Sequence, residues 1–209
     1  MKALIITPYL TAPIRSLTDI SEYDLIVCAD SAHFAAKKEN IVPHLVIGDF
    51  DHGTEAHPDQ NEKNIVTVPC EKDDTDTMLC LKYALRQGFG DVTILGGIGG
   101  RLDHTFANLQ TLAYAENNGA HARLLAENDE AFLLSGSIRL PKRDEAWYLS
   151  VFAYDGVCHG VTEKGTKYEV ENATLDTSFP LGVSNEIVAD FAEISVKKGR
   201  LLVILSKKD

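Results

Sequence analysis

A chain of 209 residues, 44% hydrophobic and 24% charged, has a globular composition and is long enough for one large domain or two small ones. Its 31 acidic against 20 basic side chains leave a net charge of -11, which argues against broad binding to nucleic acid or to an anionic membrane. An acidic chain that handles phosphates needs metal ions to mediate. No apolar run approaches a membrane span, and the opening Met1-Lys2-Ala3-Leu4-Ile5-Ile6-Thr7-Pro8 is too poor in apolar residues for a signal core. Cys28, Cys70, Cys80 and Cys158 form no Cys-x-x-Cys pair, and the first three sit in apolar patterns, so reduced thiols and a cytoplasmic setting are expected.

In chain order, Lys2 to Thr7 and Asp24 to Ala29 read as buried strands around a weakly patterned stretch, Ala12 to Ser21. Ser31 to Asn40 is helical in character, His44 to Gly48 is a third strand, and Ile65 to Val68 a fourth, with a polar helical stretch, Thr54 to Asn64, between them. Thr75 to Gly88 reads as a helix with Met78, Leu81 and Leu85 on one face, Asp74 as its N-cap and Gly88 as its stop. Val92 to Leu95 is the fifth strand. The helix Leu102 to Asn118 follows, with Leu102, Phe106, Leu109 and Ala113 on one face, and then a sixth strand, Ala122 to Ala126. Strands alternating with helices imply a mainly parallel sheet with both faces covered, so residues 1–128 are expected to form an α/β domain.

Beyond residue 128 the pattern changes to short β-type runs with no amphipathic helix: Ala131 to Ser135, Ser137 to Leu140, Trp147 to Tyr154, Lys167 to Val170, Glu186 to Ile194 and Arg200 to Leu205. Lys198-Gly199 reads as a hairpin turn between the last two. Residues 129–209 are therefore expected to form an all-β antiparallel sandwich.

Candidate chemistry collects at strand ends, where open α/β sheets bind ligands. Asp30 follows the second strand and Asp49-Phe50-Asp51 the third. Lys72-Asp73-Asp74-Thr75-Asp76 follows the fourth, and Gly96-Gly97-Ile98-Gly99-Gly100-Arg101-Leu102-Asp103-His104 the fifth. Each acid alone is an ordinary turn or cap residue, but acids at four successive strand ends repel one another unless a divalent cation joins them. Mg²⁺, which takes oxygen ligands shared with substrate phosphates, suits that set. The glycines at the strand-to-helix turn allow backbone N–H groups to approach an anion, and the helix start adds partial positive charge. The blander reading is a tight turn whose Asp favours the helix N-terminus. The spacing is neither the dinucleotide nor the P-loop fingerprint. The seven histidines lack zinc-ligand spacing, with only His52 and His104 placed near phosphates, and no Gly-x-Ser-x-Gly elbow occurs.

These motifs, in this order, resemble the thiamine pyrophosphokinase (thiamine diphosphokinase) family, and the resemblance continues through Gly165-Thr166-Lys167-Tyr168 and Gly182-Val183-Ser184-Asn185-Glu186. Two departures stand out: Ser31-Ala32 where the family usually has Gly-Gly, and His52 where it usually has Ser. The resemblance implies an α/β domain plus a β-sandwich that binds thiamine and dimerises, a homodimer, and ATP and Mg²⁺ as co-substrate and cofactor. The thiamine hydroxyl would attack the β-phosphorus of ATP, releasing AMP.

On that resemblance Asp49, Asp51 and Asp76 are expected around metal and phosphates, with Arg101 and Asp103 completing the catalytic set. Asp30, Lys72, Asp73, Thr75, Gly97, Gly99, Gly100, Arg101 and His104 are expected to bind ATP, and Tyr168, Ser184 and Asn185 to bind thiamine. The competing classes are a metal-dependent nucleotide phosphohydrolase and a non-catalytic nucleotide-binding module.

Overall fold

The structure, a computed structural model, describes residues 1–50, 65–67, 73–143 and 146–208. Asp51, His52, Cys70, Lys72 and the expected helix Thr54 to Asn64 lie outside them. The chain forms two compact units, Met1–Glu127 and Asn128–Asp209.

The first unit contains β1 (Lys2–Ile6), α1 (Ile14–Leu17), β2 (Leu25–Ala29), α2 (Ala32–Lys38), β3 (Leu45–Gly48) and β4 (Ile65–Thr67). It continues with α3 (Asp76–Arg86), β5 (Asp91–Leu95), α4 (Leu102–Asn117) and β6 (His121–Leu125). All strand pairs are parallel, in the order β6-β5-β1-β2-β3-β4. The central strands are apolar without alternation, as burial on both faces requires: β2 is buried at every residue, and β1 and β5 at all but the first. Strand order reverses between β1 and β5. From β1 the chain winds outward through β2, β3 and β4, then returns along α3, which lies across β1, β2 and β3, to place β5 on the other side of β1. Such a switch leaves a crevice beyond the carboxyl ends of the two central strands.

Two helix readings are corrected. The N-cap of α3 is Thr75, whose hydroxyl accepts from the Met78 backbone N–H at 3.2 Å. Asp74 instead receives Lys82 Nζ at 2.7 and 2.8 Å, a pairing two turns along that holds the lysine pKa above its ordinary value. In α4 the buried residues are Asn108, Thr111, Leu112 and Ala115, whereas Leu102 and Phe106 are 82% and 61% exposed. The apolar stripe read from the sequence is therefore not the face that meets the sheet. Small and polar side chains together with Leu112 make up the buried face of α4, and Asn108 finds its partner in the glycine loop. In α3 Leu81 is buried as expected, together with Thr77, Cys80 and Ala84.

The second unit is a sandwich of two antiparallel sheets. One runs β12 (Gly182–Asn185), β9 (Trp147–Ala153), β14 (Leu201–Lys207), β7 (Asp129–Leu134). The other runs β11 (Val170–Leu175), β10 (Cys158–Lys164), β13 (Phe191–Ser195), β8 (Ser137–Pro141). Leu149, Val151, Leu201 and Val203 of the first sheet share a core with Cys158, Val161, Ala192 and Ile194 of the second.

The expected hairpin at Lys198-Gly199 does not form, because β13 and β14 belong to different sheets. The segment crosses between them, pinned to the start of β10 where the His159 N–H donates to Lys198 O at 2.8 Å. Gly199 passes so close to Cys158 that an added Cβ would lie 2.7 Å from its sulfur. Strand β10 carries His159, Gly160 and Lys164 among its apolar residues, which hid it from pattern reading. The run Glu186 to Ile194 proves to be a turn leading into β13.

Candidate active site

The crevice is a cleft of about 280 Å³ lined by Thr7, Pro8, Tyr9, Asp30, Ser31, Thr75, Asp76, Thr77, Gly97, Gly99, Arg101, His104, Ala107 and Asn108. Every wall comes from the carboxyl end of a strand or from the helix that follows it. Of the residues named from sequence, Asp30, Thr75, Asp76, Gly97, Gly99, Arg101 and His104 meet here.

Asp49 follows Gly48, where a Cβ would stand 2.7 Å from Asp30 Cα, and the Asp30 N–H donates to Ile47 O at 2.7 Å. The ends of β2 and β3 thus touch, and the two acids sit at neighbouring strand ends. Asp30 takes a left-handed backbone with φ 45°. His33 Nδ1 donates to its carbonyl at 2.8 Å, while the buried His33 Nε2 has no partner among the described residues. The ring of His33 also meets Phe50 edge-on at 6.1 Å, so it spans both acid-bearing loops.

Thr7, Tyr9 and Asn108 were not found from sequence, although Thr7 to Tyr9 obey the same strand-end rule that singled out the acids. Together they explain the glycines. Thr7 N–H and Oγ1 both donate to Leu95 O at 3.0 Å, and the Gly97 N–H donates to Tyr9 O at 3.0 Å. Gly96, Gly97, Gly99 and Gly100 all have φ between 63° and 90°, a region other residues enter at a cost. A Cβ on Gly96 would strike Tyr9 O, and one on Gly97 would strike Asn108 Nδ2, which donates to Gly97 O at 2.9 Å. A Cβ on Gly100 would meet the Tyr9 ring at 2.8 Å.

The glycine turn is therefore shaped by its own supports. The Gly96 N–H donates to Leu125 O at 2.8 Å and the Gly99 N–H to Thr105 Oγ1 at 3.2 Å. Three loop amides are thus engaged internally, and at the start of α4 the His104 N–H donates to Asp103 Oδ1 at 2.9 Å and the Thr105 N–H to Arg101 O at 3.1 Å, so an anion at this helix end would meet the earlier amides of the first turn.

Arg101 stands at that helix start. Its Nε and Nη2 donate to Asp103 at 3.2 and 2.6 Å. This fork holds the Asp103 carboxyl below its ordinary pKa and raises that of the guanidinium. Asp103 thereby aims Arg101 and itself stays off the cleft wall, as do Asp73 and Gly100. The acids fit a magnesium ion shared with substrate: Mg²⁺ takes one or two carboxylates and completes its shell with phosphate oxygens and water. Asp30 and Asp76 offer two hard donors on one cleft. Among the described residues no group of three ligating side chains forms that would hold a metal by itself.

In the second unit Asn185 and Tyr168 are joined. The Tyr168 N–H donates to Asn185 Oδ1 at 3.0 Å, and Asn185 Nδ2 returns a bond to Tyr168 O at 2.8 Å. The Asn185 side chain is buried, whereas Tyr168 is 64% exposed, and Ser184 is exposed with φ 57°.

The profile described as thiamin pyrophosphokinase, catalytic domain, matches residues 18–124, and that described as thiamin pyrophosphokinase, vitamin B1 binding domain, matches residues 136–201. The chain belongs to the thiamine pyrophosphokinase family. The thiamine pyrophosphokinase of Bacillus subtilis (strain 168) is 29% identical over 189 residues, covering 88% of each chain. A crystal structure of thiamine pyrophosphokinase from Bacillus subtilis superposes with a TM-score of 0.90 at 25% identity over 100% of both chains. A thiamin pyrophosphokinase family protein from Enterococcus faecalis gives 0.84 at 26%, again over 100% of both. These likenesses carry the α/β-plus-sandwich fold and the kinase-type transferase class, and leave the phosphohydrolase alternative without support. The family's catalytic range contains the acid-bearing strand ends and the glycine turn, and its vitamin B1 range contains Tyr168, Ser184 and Asn185. Thr7 to Tyr9 precede the catalytic match and were reached only through strand order.

Proposed function

We propose that the protein is an ATP:thiamine diphosphotransferase, making thiamine diphosphate and AMP. The observation that carries this reading is the cleft at the β1/β5 switch point, lined by Asp30, Asp76 and Arg101, in a chain matched by both family domains. The thiamine hydroxyl oxygen forms a bond to the β-phosphorus, the bridge to the α-phosphorus breaks toward AMP, and the hydroxyl proton is lost. Such transfer requires positioning and neutralised charge more than covalent chemistry by the protein. Mg²⁺ would supply charge neutralisation at the phosphates, with Asp49, Asp51 and Asp76 to hold it; Asp30 lines the same cleft as Asp76. Arg101, oriented by Asp103, binds a phosphate oxygen. Lys72, Asp73, Thr75, Gly97, Gly99, Gly100 and His104 complete the ATP contacts by resemblance.

Tyr168 and Ser184 meet thiamine, the exposed tyrosine ring suiting a cationic heterocycle. We assign residues 129–209 this thiamine-binding role and a dimer interface, which the exposed Phe179, Leu181 and Val183 support. A cytoplasmic setting is supported by three buried free thiols, Cys28, Cys80 and Cys158, and no helix among the described residues is long and apolar enough to cross a membrane. The decisive experiment incubates the protein with ATP, Mg²⁺ and thiamine and follows AMP and thiamine diphosphate in equal amounts. Release of inorganic phosphate independent of thiamine, with no thiamine diphosphate, would overturn the reading.

A further inference from the structure

A buried carboxylate in β10 lies outside every motif considered so far. Glu163 is only 4% exposed, in a strand where it pairs with Val170 on one side and Ile194 on the other. The β10/β11 register shifts between Val161 and Glu163. Irregularities of this kind re-aim a side chain, and here the carboxyl is turned inward. An acid so placed is unfavourable without a partner, and burial pushes its pKa up. Its partner is the Asn185 amide: Nδ2 donates to Glu163 Oε2 at 3.0 Å.

That bond completes the amide. A primary amide has two N–H donors and one oxygen able to accept twice. Asn185 gives one N–H to Tyr168 O at 2.8 Å and the other to Glu163, and its oxygen accepts from the backbone N–H groups of Tyr168 at 3.0 Å and Glu186 at 2.9 Å. Its side chain therefore tethers loop 165–168 to the turn after β12, and has no hydrogen-bonding capacity left for a ligand in this arrangement. Without the Glu163 carboxylate one buried N–H loses its acceptor, and the amide no longer has a single satisfied orientation.

We propose that Glu163 is a positioning residue for the substrate loop of the second unit, acting through the Asn185 amide to hold Tyr168 and Ser184 where they meet thiamine. This assignment rests on the thiamine-kinase reading, and it makes Asn185 a strut behind the contact surface. Glu163→Leu removes the acceptor while keeping apolar volume. Glu163→Gln keeps an oxygen that can accept from Asn185 Nδ2. Glu163→Met carries the same readouts if the leucine variant does not fold.

The experiment uses the full chain and reads two quantities. Hydrogen exchange at the Tyr168 and Glu186 amides, which donate to Asn185 Oδ1, should quicken by about tenfold in Glu163→Leu and stay at the wild-type rate in Glu163→Gln. In steady-state kinetics, Glu163→Leu should raise the KM for thiamine by about tenfold, on the scale of one unsatisfied buried donor, with the KM for ATP unchanged and Glu163→Gln close to wild type. Unchanged exchange in Glu163→Leu, a glutamine variant as impaired as the leucine one, or equal rises in both KM values would overturn the proposal. A wild-type protein that makes no thiamine diphosphate would instead overturn the reading on which it rests, and the exchange arm would still decide whether Glu163 holds the loop.

Discussion

Replacing Gly97 with alanine tests why the glycine turn has its composition. Gly97 has φ 75°, and its missing Cβ leaves room for Asn108 Nδ2, which donates to Gly97 O at 2.9 Å. Forcing alanine into a left-handed backbone costs about 1–2 kcal/mol. Displacing the Asn108 amide from its buried bond adds about 0.5–1.5 kcal/mol. Gly97→Ala should therefore destabilise by roughly 2–3 kcal/mol, read from the shift in urea midpoint at unchanged slope.

The contributions separate in a double-mutant cycle. In an Asn108→Ala background the new methyl has space, so the same substitution should cost only the backbone part, leaving a coupling of about 1 kcal/mol. An equal cost in both backgrounds would refute the steric argument. A Gly97→Ala penalty below about 0.5 kcal/mol would refute the conformational one as well. Both variants should also lower turnover, because Gly97 and Asn108 line the cleft.

Asp49→Asn and Asp76→Asn should each reduce thiamine diphosphate formation by about tenfold or more while leaving thermal unfolding within a few degrees of wild type, since neither side chain is buried in the core; near-normal rates at ordinary Mg²⁺ would remove these acids from the site. Thr75→Ala removes the α3 N-cap and should lower stability by about 1 kcal/mol, measured by urea unfolding. The Cys28 thiol is pushed up to about 12 by burial, and Cys158 is also raised, so neither should react with a thiol reagent in native protein at pH 8, while both react after denaturation. For Glu163 the folded pKa is raised, so the native state holds its proton more tightly than the unfolded chain. Wild type should lose stability relative to Glu163→Gln as the pH rises above the ordinary value of 4.5 through the raised one, and a melting-temperature difference that stays flat from pH 4 to pH 8 would contradict this sign.

If the second unit forms the proposed dimer interface, light scattering at working concentration should return twice the mass of one chain, and a fully active monomer would exclude that role.

Local pattern carried a large part of this fold. Unbroken apolar runs such as Leu25–Ala29 mark strands buried on both faces, the strand–helix alternation gives the parallel unit, and the later short β-type runs announce the sandwich. The strand-end rule also located Asp30, Asp76 and the glycine turn, because polar residues and glycines interrupting apolar runs are visible without any knowledge of neighbours. Non-local decisions were a different matter. That β5 lies beside β1 depends on α3 carrying the chain back across three strands, and only this adjacency brings Thr7 to Tyr9 against the glycines and gives those glycines their steric reason.

The face α4 buries was chosen by fit: Asn108 turns in because Gly97 O waits for it, leaving Leu102 and Phe106 outside against the hydrophobic pattern. Asn185 reads in sequence as a loop residue free to contact a ligand, yet its amide is filled by Tyr168, Glu186 and Glu163, partners 17, 1 and 22 positions away. Periodicity reports which residues prefer water and at what spacing they recur. Which acceptor reaches which donor is settled when distant segments pack, because a buried amide must find its partners wherever the fold supplies them.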